Sequence, residues 1–292
     1  LYAALRAATA GSEGAHLTEW SAALLGLVQG LAEFFPISSS GHLAILQNFL
    51  RIGIPEDQLF FDVLLHLGTL AAVILAFWQD VRAVFVEALY TLHLKHRPRG
   101  KKPDGLQKRM LAFLIIATLP LGAMVFLKKY VEPLYNNTFF IGFALLVTGG
   151  LLFWADRAGH GNKDIKSATG VDALIVGVAQ AIAVVPGLSR SGTTITAGLL
   201  CGFDRSFAVR FSFLLSIPAV LGANILSFVD AVTAGIDWSY LPMYLVGVAA
   251  AFVSGYLAIY LLRMLMQRSR FGGFAYYCWG AGLVTLILSL VA

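Results

Sequence analysis

The chain is poor in charge and in cysteine, and each shortage removes a class of protein. Only 13% of its 292 residues are Asp, Glu, Lys or Arg, about half the share of a soluble globular domain. With 58% hydrophobic residues, the apolar runs are too long and too numerous for a water-soluble core. The two cysteines, Cys201 and Cys278, stand far apart, each in an apolar stretch. They give neither a disulfide framework nor a metal-ligand spacing, and read as buried packing residues. The formal net charge of +5 argues for no nucleic-acid partner, because the basic residues crowd into a few loops rather than one face. What remains is an all-α integral membrane protein.

Within the apolar stretches one polar segment occurs twice. The first copy runs from Gly26 through Gln29, Glu33, Pro36, Ser38, Ser39, Ser40 and Gly41 to His42; the second runs from Gly177 through Gln180, Pro186, Gly187, Ser189, Arg190, Ser191 and Gly192 to Thr193. At one constant offset Gly26 meets Gly177, Gln29 meets Gln180, Ser38 meets Ser189, Ser40 meets Ser191 and Gly41 meets Gly192. Ionisable side chains inside a membrane are costly and mark function by default. Here one copy carries a carboxylate and an imidazole, the other a guanidinium.

A bilayer core of about 30 Å needs about 20 apolar residues per helix. Six stretches qualify, near 59–79, 110–127, 139–155, 207–229, 241–262 and 274–291. The repeated segments differ: 20–35 and 42–50 flank the first Pro/Ser/Gly break, while 171–185 and a short helix flank the second. At 1.5 Å per residue the longer arms reach only to about the midplane. Each is therefore expected to be a re-entrant helical hairpin, as in proteins whose broken helices meet at a midplane site. Residues 1–16 are set aside as an N-terminal extension or expression remnant. Repeat 1 then covers 17–155 and repeat 2 covers 156–292, each a hairpin plus three spans, within one structural domain.

Three spans per repeat is an odd number, so the two hairpins must enter from opposite faces. Charge tests this. Loop 93–109 holds Lys95, Arg97, Arg99, Lys101, Lys102, Lys108 and Arg109 against Asp104, and reads as cytoplasmic. Loops 156–170 and 263–273 are basic and follow it; 230–240 carries Asp230 and Asp237 with no Lys or Arg. Only Lys128 and Lys129 run against the trend. The first hairpin is expected to open outward, the second to the cytoplasm, with their tips meeting between.

Both breaks lead into short helices, whose free N–H groups and positive end suit an anion. Arg190 adds a planar fork matched to phosphate oxygens. Glu33, six residues before Ser39, can act as a base or hold a divalent cation. His42 follows Ser39 by one helical turn, which brings imidazole and hydroxyl together. The implied chemistry is phosphoryl transfer, by a nucleophilic serine or an activated water. Taken singly, Glu33 would read as a packing carboxylate and the serines as caps; Arg190 lies too deep for such a reading. Asp62 and His66 share a helix face and serve either as support for the site or as interfacial anchors.

Glu33-Phe-Phe-Pro-Ile-Ser-Ser-Ser-Gly-His42 and Pro186-Gly-Leu-Ser-Arg-Ser-Gly-Thr-Thr194 resemble the two signature motifs of the undecaprenyl-diphosphate phosphatases, the bacitracin-resistance family. Phe61-Asp-Val-Leu-Leu-His-Leu-Gly68 and Phe211-Ser-Phe-Leu-Leu-Ser-Ile-Pro218 match further, and the resemblance spans about 20–292. It implies a multi-pass hydrolase of the bacterial cytoplasmic (inner) membrane. Such an enzyme converts undecaprenyl diphosphate to the monophosphate, renewing the lipid carrier of peptidoglycan synthesis, with a site open to the periplasmic side. By the resemblance Glu33 is the essential acid, Ser39 the nucleophile, His42 the general acid/base and Arg190 the essential arginine. Ser38, Ser40, Gly41, Ser189, Ser191, Gly192, Thr193 and Thr194 are phosphate-binding positions; Gln29, Gln180, Asp62 and His66 support them. The cofactor implied is Mg²⁺ or Ca²⁺, on Glu33 and Gln29, where a Gln at the second position removes one charge. The partners are the polyprenyl diphosphate and membrane lipids, and a homodimer is allowed. A transporter of polyprenyl phosphate built on the same repeat remains the alternative.

Overall fold

The computed structural model describes residues 17–50, 58–94, 105–157, 161–234, 236–267 and 272–291. The basic stretch 95–104, Arg268 and Arg270 of the loop charges, and residues 1–16 lie outside them. Among the described residues the chain is helical, with one isolated bridge between Lys163 and Phe203. The helices are α1 (Glu19–Phe34), α2 (Ser39–Leu50), α3 (Gln58–Ala76), α4 (Trp78–Thr91), α5 (Gly105–Thr118) and α6 (Leu121–Val131). Then follow α7 (Thr138–Arg157), α8 (Gly170–Ile182), α9 (Arg190–Leu200), α10 (Arg205–Ala234), α11 (Leu241–Gln267) and α12 (Gly273–Val291).

Five helical segments are long and apolar enough to cross a membrane: 105–127, 138–157, 205–229, 238–266 and 273–291. A sixth is available if the bent pair α3 and α4 counts as one span. Their outward faces carry large apolar side chains, such as Phe143 on α7, Ile225 on α10 and Ile287 on α12. That is the surface of a protein solvated by lipid.

Two of the expected spans differ from the sequence reading. The stretch 59–79 ends at Ala76; the chain turns through Phe77 and runs on as α4 at 91°. Helix α4 escaped notice because Asp80, Arg82 and Glu87 interrupt its apolar residues. The stretch 110–127 begins at Gly105 and breaks at Leu119–Pro120, since Pro120 has no N–H for the ladder and its ring crowds the preceding turn.

The longer arms of both hairpins begin in the same way. Thr18 and Thr169 cap α1 and α8 with capping boxes closed by Ser21 and Asp172, at the same offset as the repeated segments. α1, at 16 residues, is about 24 Å long and α8, at 13, about 20 Å. The two ends of the α8–α9 hairpin are tied together: Lys163 N–H donates to Gly202 O and Asp204 N–H to Lys163 O, both at 2.9 Å. Arg109 at the start of α5 donates to the carbonyls of Ile165, Lys166 and Ala168. The starts of α5 and α8 thus lie on one side of the molecule.

Each arm packs on a helix from the other half, α1 on α11 and α8 on α5. Glycine makes that approach possible. A Cβ on Gly26 would lie 2.2 Å from the Gly247 carbonyl oxygen, and one on Gly177 would lie 2.4 Å from that of Ala117. α7 and α12 meet through Gly142 and Gly282, each facing the other's carbonyl. Because these obstacles are backbone, Gly26→Ala and Gly177→Ala should each destabilise the protein by about 1–3 kcal/mol. Gly150→Ala, with nothing within 4 Å of its Cβ, should not. Thermal melting of the three purified variants in one detergent checks this.

Candidate active site

The site forms where the turns of the two hairpins meet. Phe35–Ser38 joins α1 to α2 and Ala183–Ser189 joins α8 to α9. A Cβ on Gly41 would lie 3.1 Å from Gly187 Cα, and one on Gly192 would lie 3.1 Å from Pro36 Cβ. Pro36 and Gly187 are themselves partners at the repeat offset, so the two contacts are reciprocal, as across a two-fold axis. Ser191 Oγ donates to the Phe35 carbonyl at 3.2 Å, which bonds one turn directly to the other.

Ser38 adopts φ +72°, a left-handed conformation that costs a non-glycine residue on the order of 1–3 kcal/mol. Its Oγ accepts from Gly41 N–H at 3.2 Å, and in the second turn Ser189 Oγ accepts from Gly192 N–H at 3.1 Å. Both serines are thus helix caps. The second turn is further held by Thr148 of α7, which accepts from Ser189 N–H and donates to Gly187 O.

Glu33 sits at the centre, buried near the end of α1. Its Oε2 accepts from Ser39 Oγ at 2.7 Å and from Gln29 Nε2 at 3.1 Å. Its Oε1 accepts from an Arg190 Nη at 2.6 Å, an ion pair that joins the two repeated segments. Of the five N–H donors of Arg190, one more reaches an acceptor among the described residues, the Ser212 carbonyl at 3.5 Å. The remaining donors can take phosphate oxygens. Ser212 also shares a 2.6 Å hydrogen bond with Thr194, whose hydroxyl lies 2.8 Å from Arg190 O.

His66 approaches with its Nε2 4.0 Å from Glu33 Oε2, its Nδ1–H donating to Asp62 O at 2.7 Å. The Asp62 carboxylate accepts from Gln47 of α2. His42 was expected beside the Ser39 hydroxyl, but both its ring nitrogens are engaged elsewhere. Nδ1 lies 2.8 Å from Ser38 O, which can only accept, so Nδ1 carries the proton. In the neutral ring Nε2 then accepts from Tyr277 O–H at 2.9 Å, and the two rings stack. Ser40 Oγ lies 3.4 Å from Ser38 Oγ; Thr193 is buried, its hydroxyl unbonded among the described residues. Gln180, the counterpart of Gln29, is buried in α8 with neither amide atom bonded among them.

Among the described residues no cluster of three His, Cys, Asp or Glu could hold a metal by itself. The Glu33 carboxylate and Gln29 Oε1, a buried acceptor without a donor among the described residues, offer oxygens of the hard kind that Mg²⁺ and Ca²⁺ take. These residues fit a cation whose other ligands come from a diphosphate and water.

Sequence reasoning missed Ser212, Thr148, Gln47 and Tyr277. Ser212 lies inside the quoted stretch 211–218, whereas Tyr277 sits in an aromatic run with no pattern to single it out. Tyr277→Phe keeps the stacked ring but removes the hydroxyl that Nε2 accepts. About a fivefold loss of turnover is expected, the worth of one hydrogen bond, with an unchanged melting temperature, measured by phosphate release and thermal melting.

Comparison with known proteins places the chain in a family. The family described as bacitracin resistance protein BacA matches residues 22–284. A protein of Alkaliphilus metalliredigens named undecaprenyl-diphosphatase is 40% identical over 277 residues, 94% of this chain and 100% of that protein. One of the same name from Halothermothrix orenii is 41% identical over 267 residues, 91% of this chain and 96% of its own. A third, from Methanosphaera stadtmanae, is 40% identical over 279 residues, 93% and 98% of the two chains. Among the described helices the matched span takes in all but the first three residues of α1 and the last turns of α12, and the chain belongs to the BacA bacitracin resistance family.

Proposed function

We propose that the protein hydrolyses undecaprenyl diphosphate to undecaprenyl phosphate and inorganic phosphate, recycling the lipid carrier of peptidoglycan synthesis and conferring bacitracin resistance. The names of its relatives support the substrate. The observation that carries the chemistry is the serine hydroxyl donating to a buried carboxylate, which in turn holds an arginine from the other repeated segment. A lipid transporter needs the arginine but not a serine–carboxylate pair.

Ser39 Oγ attacks the terminal phosphorus while its proton passes to Glu33 Oε2. The bond from that phosphorus to the bridging oxygen breaks, and undecaprenyl phosphate leaves. Water then attacks the phosphoserine and frees inorganic phosphate as Glu33 returns the proton to Ser39 Oγ, with His42 as general acid/base, its Nε2 exchanging the proton through the Tyr277 hydroxyl it is bonded to. Arg190 holds the equatorial oxygens as charge spreads over them. Ser191 fixes the second turn against the first and Thr194 ties the start of α9 to Ser212 of α10, while Ser38 and Ser189 keep the helix N-termini of α2 and α9 in place. Glu33 and Gln29 would hold a Mg²⁺ or Ca²⁺ together with the substrate, and the cation would supply further neutralisation of the diphosphate.

The architecture that goes with this is an inverted repeat of two units, 17–155 and 156–292, each a re-entrant hairpin followed by three spans. The reciprocal glycine contacts and the bridge between the ends of the α8–α9 hairpin support it. The protein is an inner-membrane enzyme with its first hairpin open to the periplasm, the diphosphate entering there and the prenyl tail lying among the helices. A homodimer is compatible with it.

The test is phosphate release from undecaprenyl diphosphate by the purified protein, with Mg²⁺, with Ca²⁺ and with chelator. Cation-dependent release is expected. A folded protein that binds the lipid yet releases no phosphate would favour the transporter.

A further inference from the structure

We propose that the elbow between α3 and α4 binds a phosphate group at the membrane surface, in a site that shares no residue with the catalytic one. α3 and α4 meet at 91°. With α3 crossing the bilayer, as the topology proposed above has it, α4 lies along the surface at headgroup depth. A cavity of about 560 Å³ opens in the angle, between the elbow, the start of α10 and the end of α11. The residues that matter in its wall are Phe77, Gln79, Asp80, Ser206, Arg210 and Arg263.

The charges in this wall do not cancel. Arg210 is spoken for: its Nε donates to Asp80 Oδ2 at 3.0 Å and an Nη donates to Oδ1. Arg263 has no carboxylate within ion-pair distance among the described residues; its guanidinium lies over the Phe77 ring, 5.3 Å from the centroid. Two guanidiniums against one carboxylate leave the cavity one positive charge. A guanidinium over an aromatic face keeps N–H donors free, and their fork matches two phosphate oxygens. Ser206 and Gln79 add neutral donors, and the first turn of α4 has no capping side chain to take its N–H groups.

The ligand is thus a phosphate group, carried by an anionic phospholipid headgroup or arriving as the free anion. The rim favours the lipid. Leu75 and Trp78 are 54% and 56% exposed at the mouth, an apolar surface for acyl chains with a tryptophan at interfacial depth. Basic pockets between spanning helices are the usual seats of lipid phosphates.

The experiment titrates phosphatidylglycerol, diacylglycerol and inorganic phosphate into purified protein in neutral detergent, read by thermal melting and by lipid retention in native mass spectrometry. Phosphatidylglycerol should raise the melting temperature and be retained, and diacylglycerol, which lacks the phosphate, should do neither. Arg263→Gln should weaken retention by about tenfold or more while hydrolysis of undecaprenyl diphosphate in detergent stays at the wild-type rate. Ser206→Trp obstructs the cavity without altering its charge and should weaken retention to a similar degree, which guards against misfolding of the arginine variant. A shift with inorganic phosphate that is lost in both variants would support the site with the free anion as occupant. Equal retention in wild type and both variants, an equal shift with diacylglycerol, or no binding of either phosphate probe would overturn it.

Discussion

Arg190→Ala should lower phosphate release by about 10³-fold or more, the range observed when an arginine that clamps a transferring phosphoryl group is removed. The guanidinium holds Glu33 with one N–H at 2.6 Å and keeps most of its remaining donors uncommitted, so it can bind phosphate oxygens without releasing the hairpin contact. The same substitution also strands the Glu33 carboxylate, which is buried. Leaving one charge of a buried pair uncompensated costs on the order of 3–5 kcal/mol. A loss of activity alone would therefore not separate chemistry from folding.

The double variant Glu33→Gln/Arg190→Gln does separate them. With both charges gone the stranded-ion penalty vanishes, and the melting temperature should recover most of what Arg190→Ala loses, while turnover stays absent. Arg190→Lys keeps the charge but not the fork, and should retain less than about a tenth of wild-type turnover. A well-folded Arg190→Ala protein with near wild-type phosphate release would remove the arginine from the mechanism.

How far the site could be seen beforehand depends on which physical signal carried each part. Hydropathy and length found α7, α10, α11 and α12, because a membrane demands a minimum apolar run. The repeat offset found both hairpins, and it extends further than the polar segment itself, to Thr18 and Thr169. α4 was invisible to hydropathy, since Asp80, Arg82 and Glu87 interrupt its apolar residues. The ion pair between Glu33 and Arg190 spans 157 positions, and nothing in one sequence states which buried charge meets which. The turn chemistry misled in one respect. One helical turn links Ser39 to His42 in principle, yet the left-handed Ser38 aims its carbonyl at His42 Nδ1, and Tyr277, 235 positions away, takes Nε2.

Glu33→Gln should have the second large effect, a fall in turnover of about 10²- to 10⁴-fold, the usual worth of a positioned general base. In the wild type the Ser39 hydroxyl donates to Oε2 at 2.7 Å; a glutamine can accept that hydrogen bond but not keep the proton. Binding should move the other way. The carboxylate and the phosphate compete for the Arg190 fork, so removing the negative charge should leave KM unchanged or lower it as kcat falls. A variant that lost a phosphate contact would instead raise KM. The cation role separates from the base role by the same variant: if Glu33 acts mainly as a ligand of Mg²⁺, raising the metal concentration will restore turnover by mass action, because Gln29 and the diphosphate still offer oxygens. A base cannot be restored in that way. Turnover that stays low at saturating metal, with KM no higher than in the wild type, assigns Glu33 to the proton of Ser39.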